Sequence, residues 1–598
     1  MRSRVAPLIQ SGALFLDGRM STRRQVTYQF GEFRLLSSDK QLLRSGKPVP
    51  MKPRVFETLL VLVESQGHLI EKDEFLKRLW PDSYVEEAAL AQNISQLRKA
   101  LRNGMDGQFI ETVSKRGYRF LAPVEVTGTE SYEGPYRAIL AVLPFENLDA
   151  DREHEYLADG LTDEVIASLG RLDPERLSVI GRTSMRVYKR TTKSLAEIGR
   201  ELGAEFLVES SMRTEAGRIR ITSKLIRVRD QVQIWSASYD SKPISMLEFQ
   251  RELSTTVARE VGLRLSPGGL TALAQRQTQQ VEAYDFYLRG RYFWNQLSPT
   301  TTRRAIEYYS RATELDPDYA LAWSGLADSY AASPINGDAA PLQAWQRAAD
   351  AAERAARAGP DLAETQSSVG LVKFWLDWDW AGAETALRNA IERDLSYALA
   401  HRNLGVVLSH SGRHEEARSA VRRGRELDPL YAPHVALSSQ IEFNARDYPA
   451  AIQFARRATI LDPEFSISYI QLAQAYIQMG KSDLALDALN TGGRFSSNSK
   501  LIALRGCLFA QLGQVEEAHA VLKTLEHASL ERYVPPYATA LVHASLSHRD
   551  AAFQWLNQAF EARDVHLVFL PVDPKWDAFR EDSRFIALLT RCGIPGPR

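Results

Sequence analysis

The sequence VEEAALAQNISQLRKALRN, residues 85–103, decides how the N-terminal part of the chain is read. Its apolar residues Leu90, Ile94, Leu97 and Leu101 fall at i, i+4, i+7 and i+11, a single narrow stripe of a helix. Such a stripe requires a core to face. At about 100° per residue the opposite face carries Gln92, Ser95, Gln96 and Lys99, with Asn93, Arg98 and Arg102 on its flanks. Amides and cations with almost no acid suit base edges and phosphates. Gln pairs bidentately with adenine, and Lys and Arg neutralise the phosphate backbone.

Just downstream, IETVSKRGYRF at residues 110–120 reads as two short strands around a basic tip, with Thr112 and Tyr118 on the strands and Lys115 and Arg116 at the turn. From 91 to 119, six cations (Arg98, Lys99, Arg102, Lys115, Arg116 and Arg119) stand against Asp106 and Glu111. The whole chain conceals this excess of four, because Lys+Arg and Asp+Glu each total 74. A basic hairpin beside a basic helix can straddle a groove edge as a wing. The candidate DNA contacts are therefore Gln92, Asn93, Ser95, Gln96, Arg98, Lys99, Arg102, Thr112, Lys115, Arg116 and Tyr118.

Around these segments, strand patterns at 28–36, 41–44 and 49–51 precede helices at 53–64 and 72–80. That order, with the wording of 85–103 and 110–120, resembles the OmpR/PhoB-type winged-helix domain in the variant carried by ToxR and CadC regulators. The resemblance covers 26–123. It implies that the helix enters the major groove of promoter DNA and that the wing touches the adjacent minor groove. It also implies that the loop 81–85, bounded by Pro81 and Val85, can contact RNA polymerase. Relatives such as PhoB place Arg where this chain has Ser95, Gln96 and Ser114, so no operator sequence is carried over. CadC-like proteins continue into a membrane span, but no run here approaches the ~18 apolar residues a span needs, so no membrane contact is expected. Residues 1–25 are expected to be a disordered extension, with Met20 as an alternative start.

A polar linker is expected at 124–136, where Gly128, Gly134 and Pro135 occur. The following 137–266 reads as a small α/β domain. Its pattern gives a strand at 138–145, a helix from Thr162, a strand at 177–180, a helix at 195–202, three strands near 206–213, 219–228 and 232–239, and a helix from Ser245. The segments AVLPFENL, YLADGLTDEV, IGRTS and IGRELGAEFLVESSMR resemble the TolB-like N-terminal domain. Asp159, Asp163 and Glu164 read as acids near a helix start capped by Thr162, which compensates the helix dipole, rather than as a metal site.

From 280 to 598 the pattern is helical and periodic. Asp394, Asp428 and Asp462 lie 34 apart, as do Ala383, Ala417, Ala451 and Ala485. This is the tetratricopeptide period, an all-α solenoid of helix pairs, with about eight units expected over 286–563 and a cap at 572–594. Arg402, Ser409, Gln440, Asn444, Gln474 and Gln478 map to the inward side of the first helices and are candidates to hold a protein or peptide partner. Trp375, Trp378 and Trp380 are expected to wedge adjacent repeats.

The 598 residues allow several domains, here three: a winged helix, a small α/β domain and the solenoid. Only Cys507 and Cys592 occur, which excludes a disulfide scaffold and fits a reducing cytoplasm. No Walker loop, nucleophile elbow, HExxH or kinase signature is present, so no catalytic residue, metal or cofactor is assigned. The expectation is a one-component cytoplasmic regulator that binds promoter DNA, as a dimer or in tandem. The competing reading is a repeat-built adaptor that does not act through DNA.

Overall fold

The computed structural model describes residues 26–36, 41–44, 47–49, 51, 53–65, 67–79, 87–101, 109–114, 116–122, 124–129, 137–149, 154–173, 175–215, 218–241, 246–262, 278–296, 298–336 and 339–594. The chain divides into two units, Met1–Pro135 and Tyr136–Arg598. The expected extension at 1–25 lies outside the described residues.

In the first unit, β1 (Val26–Phe30) and β2 (Phe33–Leu36) form a hairpin where a single strand was expected, because Gly31 turns the chain at φ +56°. β3 (Gln41–Arg44) and β4 (Lys47–Val49) continue the sheet. Helix α1 (Pro53–Glu64), β5 (Ile70–Glu71), α2 (Lys72–Leu79) and α3 (Glu87–Ala100) follow, then β6 (Ile110–Val113) and β7 (Gly117–Phe120). The last strand, β8 (Glu125–Thr129), pairs antiparallel with β1, so the expected linker at 124–136 is in part the fifth strand of the sheet β4-β3-β2-β1-β8. The β-branched residues Val124, Val126, Thr127 and Thr129 suit a strand better than a tether. The core is built from one face of each helix. Val55, Phe56, Leu59 and Leu62 of α1 meet Leu90, Ile94 and Leu97 of α3 and an aromatic knot of Phe30, Phe33 and Phe120.

The second unit opens with a mixed sheet of order β11-β9-β12-β13-β14. It comprises β9 (Ala138–Val142), β10 (Glu146–Asn147, beside β12), β11 (Leu177–Val179), β12 (Phe206–Glu215), β13 (Arg218–Arg227) and β14 (Val232–Ser241). β11, β9 and β12 run parallel, while β12, β13 and β14 are antiparallel. Helix α4 (Glu155–Leu172) and α7 (Met246–Glu260) share one apolar cluster with β9 and β13, while α5 (Arg182–Arg186) and α6 (Leu195–Leu202) contribute to a second one. Because α4 begins at Glu155, Thr162 is mid-helix rather than a cap. Its hydroxyl donates to the Ala158 carbonyl and accepts from the Phe145 amide. Asp163 and Glu164 are correspondingly buried rather than exposed at a helix start.

Eight antiparallel helix pairs follow, from Val281–Trp294 to Arg549–Glu561, in agreement with the period. Ala383, Ala417, Ala451, Ala485 and Ala518 are all fully buried, where only a methyl group lets helices approach closely. The α/β layer and the first repeats lie in one compact unit. Leu161 and Val165 of α4 share a core with Tyr287 and Leu288 of the first repeat helix.

Candidate nucleic-acid interface

Helix α3 buries its predicted stripe: Leu90, Ile94, Leu97 and the following Leu101 are each about 1% exposed or less. On the other side Gln92, Ser95 and Lys99 are exposed and Gln96 is half-exposed. The amide-rich face therefore points to solvent within this unit. Arg98 and Lys99 in the last turn also complement the negative end of the helix dipole.

Two of the helix candidates have structural partners. Asn93 is buried, and its side-chain amide donates to the Thr58 hydroxyl at 3.0 Å and, at 3.5 Å, to the Arg54 carbonyl, tying α3 to α1. Arg98 donates through Nη2 to the Ile110 carbonyl at 2.9 Å and to the Thr112 hydroxyl at 2.7 Å. Its guanidinium thus fastens the wing to the helix. A helical projection gives the angle at which a side chain leaves the helix but not what lies beyond it, and residues on the flanks of the exposed face, like these two, can therefore be taken up by neighbouring elements.

The wing is β6 and β7, paired from Ile110↔Phe120 to Val113↔Gly117. β7 is also pressed against β5, with Glu71 opposite Gly117. A Cβ built at Gly117 would lie 1.9 Å from the Ile70 carbonyl oxygen, so only glycine fits this crossing. Glu111 and Arg119 pair across the hairpin at 3.3 Å. Thr112, Ser114 and Arg116 are exposed near the turn. Tyr118, expected at the DNA, is instead core: it is 7% exposed and meets Phe75 edge to face. Arg102, Lys115 and the loop 81–85 lie outside the described residues.

Gln92, Ser95, Gln96 and Lys99 thus share the exposed side of one helix, and the hairpin that carries Thr112 and Arg116 is fastened to that helix through Arg98. Residues 46–120 match the family model described as transcriptional regulatory protein, C terminal. Residues 136–256 match the second domain of HilA/YgeH-like transcriptional regulators, and 379–432 and 467–492 match tetratricopeptide repeats. Among curated relatives, the transcriptional regulator HilA of Salmonella typhimurium is 24% identical over 413 residues, covering 68% of this chain and 71% of the relative. The transcriptional activator CadC of Escherichia coli is 31% identical over 103 residues, 17% of this chain and 20% of its own length. A Rhizobium meliloti protein named as an adenylate cyclase is 32% identical over 193 residues, 32% of each chain.

The second candidate site, the repeat groove, is closed by the chain itself. Past the last helix pair, Val565–Phe569 and Pro574–Phe579 form short 3-10 turns and Ser583–Arg591 a final helix. Phe569 packs against Trp375 and His410, Lys575 donates to the Gln474 side chain at 3.1 Å, and Arg446 donates to the Val572 carbonyl and to Asp577. Ser409, Gln440, Asn444 and Gln474 are all buried. They bond one another: Asn444 donates to Ser409, Gln440 to Asn444, and Gln474 to Gln440. Amides chosen for peptide binding are therefore satisfied by neighbouring repeats and by the cap. Arg402 is half-buried and bonds Asn403, and Gln478 is half-buried. Burial of Lys500 behind the cap, where its ammonium lies 4.1 Å over the Phe569 ring, pushes its pKa down to about 8. Trp378 and Trp380 are buried between repeat helices and the cap, as packing required.

Two of the three acids considered as a metal site, Asp159 and Asp163, are engaged in ion pairs. Asp163 pairs with Arg182 and, at 3.0 Å, with Arg291 of the first repeat helix, and Asp159 pairs with Lys189 at 2.6 Å. Sequence reasoning missed this role because the cations lie up to 128 positions away.

Proposed function

We propose that this chain is a DNA-binding transcriptional regulator that reads a promoter through α3 and the adjoining wing, with the repeat array as its protein-interaction region. The observation that carries the reading is the exposed face of α3, where Gln92, Ser95, Gln96 and Lys99 stand clear of a fully buried apolar stripe. Gln92 and Gln96 read base edges in the major groove. Lys99 and Arg116 meet phosphates and set the register. The relatives HilA and CadC, named as transcriptional regulators, support it. The reading includes contact of the loop 81–85 with RNA polymerase, a cytoplasmic location and no catalytic step.

The test is binding of full-length protein to selected and random duplexes. Replacing Gln96 by Ala should cost about 1–3 kcal/mol on the selected site and little on random DNA, if the contact is bidentate. Equal losses on both would remove Gln96 from base readout.

A further inference from the structure

In five consecutive helix pairs of the array the first helix ends in the same backbone turn. The amides of Arg413, Asp447, Lys481, Gln514 and His548 donate, at 2.9 Å, to the carbonyls of Leu408, Glu442, Tyr476, Phe509 and His543. Just before each donor stands a residue of positive φ: Gly412, Arg446, Gly480, Gly513 and Ser547. Such a helix end holds the side chains of its donor and acceptor residues next to each other. Of these five turns, only the last has a histidine at both places.

His543 and His548 are spaced to share one ion. Their Nδ1 atoms lie 3.5 Å apart and their rings are inclined by 42°. Two imidazole nitrogens on one tetrahedral zinc ion, at bonds of about 2.0–2.1 Å, stand about 3.3–3.4 Å apart. The main chain therefore presets a chelating pair. A third imidazole adjoins it, since the His519 ring on the preceding helix, Val515–Glu531, is centred 5.5 Å from that of His548. The three rings also sense one another: His543 is pushed below its ordinary pKa first by burial and then by the charges of His548 and His519. Three repeats earlier, Arg418 and Glu442 hold the places of His519 and His543 and meet at 2.6 Å, so a side chain at the first place reaches the second.

His519 and His548 are exposed and His543 is half-buried, which leaves an ion and its waters a way in. Among the described residues no three ligand side chains already surround one point, so His519 has to turn about its side-chain bonds to close the set.

We propose that His543 and His548 chelate a divalent transition-metal ion through their Nδ1 atoms, with His519 as the third ligand and water in the remaining position. Imidazole suits zinc, nickel and copper, whereas magnesium and calcium take oxygen ligands. The ion ties the helix Val515–Glu531 to the turn between Pro536–Ser545 and Arg549–Glu561. The site lies in the second unit and does not depend on the DNA-binding reading.

Equilibrium titration of the tag-free full chain with zinc at neutral pH tests it. One ion should bind per chain, and a large excess of magnesium should not displace it. His543→Ala with His548→Ala should lose that ion, while the thermal transition without zinc stays at the wild-type value because neither side chain is in the core. His519→Ala should weaken binding without changing the transition. His527→Ala, at an exposed histidine 3.9 Å from Glu531 and outside the trio, should bind as wild type does. A wild type that takes up no zinc would overturn the proposal. So would unchanged binding in the doubly substituted protein or in His519→Ala, or loss of the ion in His527→Ala.

Discussion

Asn93 and Arg98 show that neighbouring polar residues on one helix do different work. Replacing Asn93 by Ala deletes the donor to Thr58 and should cost about 1 kcal/mol of stability in the first unit. Sequence preference for DNA should be unchanged, and urea unfolding beside DNA binding would check both parts. Replacing Arg98 by Ala removes charged hydrogen bonds to Ile110 and Thr112 and should cost about 1.5–3 kcal/mol. Because the wing then loses its brace, affinity should fall on selected and random DNA alike. A loss confined to the selected site would return Arg98 to base readout. At this scale the apolar stripe was legible because burial follows the helical period. The partners of Asn93 and Arg98 were not, since Thr58 and Ile110 approach through tertiary packing that no local spacing records.

Among elements, the crossing of β5 and β7 is the tightest constraint on the wing. Gly117→Ala would drive a methyl group into the Ile70 carbonyl and should destabilise the first unit by at least about 2 kcal/mol. A thermal or urea transition unchanged from wild type would show that the strands can part without loss. Strand patterns located β3, β6 and β7 directly, because alternation and turn residues are local. They merged β1 with β2, since the apolar run continues across Gly31 and only its positive φ separates the strands. They also missed β8, whose partner β1 lies about a hundred positions upstream. For α4 the misreading had a chemical consequence: Asp163 looked like a solvent-exposed dipole partner and is instead a buried ion-pair hub.

The whole second unit is closed on itself at two places. At one, Asp428 at the end of a repeat helix accepts from the backbone amide of Ser184 at 2.7 Å and from its hydroxyl, while the Ser184 hydroxyl accepts from the Leu430 amide. Burial pushes the Asp428 carboxyl up from its ordinary range, and the Ser184 bonds oppose that shift. Asp428→Ala would leave these Ser184 donors unpaired, and the segment 181–190 should become an early site of limited proteolysis. Resistance equal to wild type would contradict this linkage. At the other, Trp576 is fully buried beneath the repeats, and Trp576→Ala should cost about 3–5 kcal/mol by opening a cavity. The repeat count was legible because each unit restates its alanines and its helix ends. Closure of the groove was not, because contacts between 565–579 and helices a hundred residues earlier leave no period to count.

The most direct measurement is sequencing of the DNA fragments that co-purify with the intact protein. The comparison is with a full-length variant in which Gln92 and Gln96 are replaced by Ala and Lys99 by Glu. If α3 reads duplex DNA, the wild-type fragments share a motif, and the variant, folded to the same extent, loses it. Wild-type fragments without any shared motif, or a motif retained unchanged by the variant, would contradict the account.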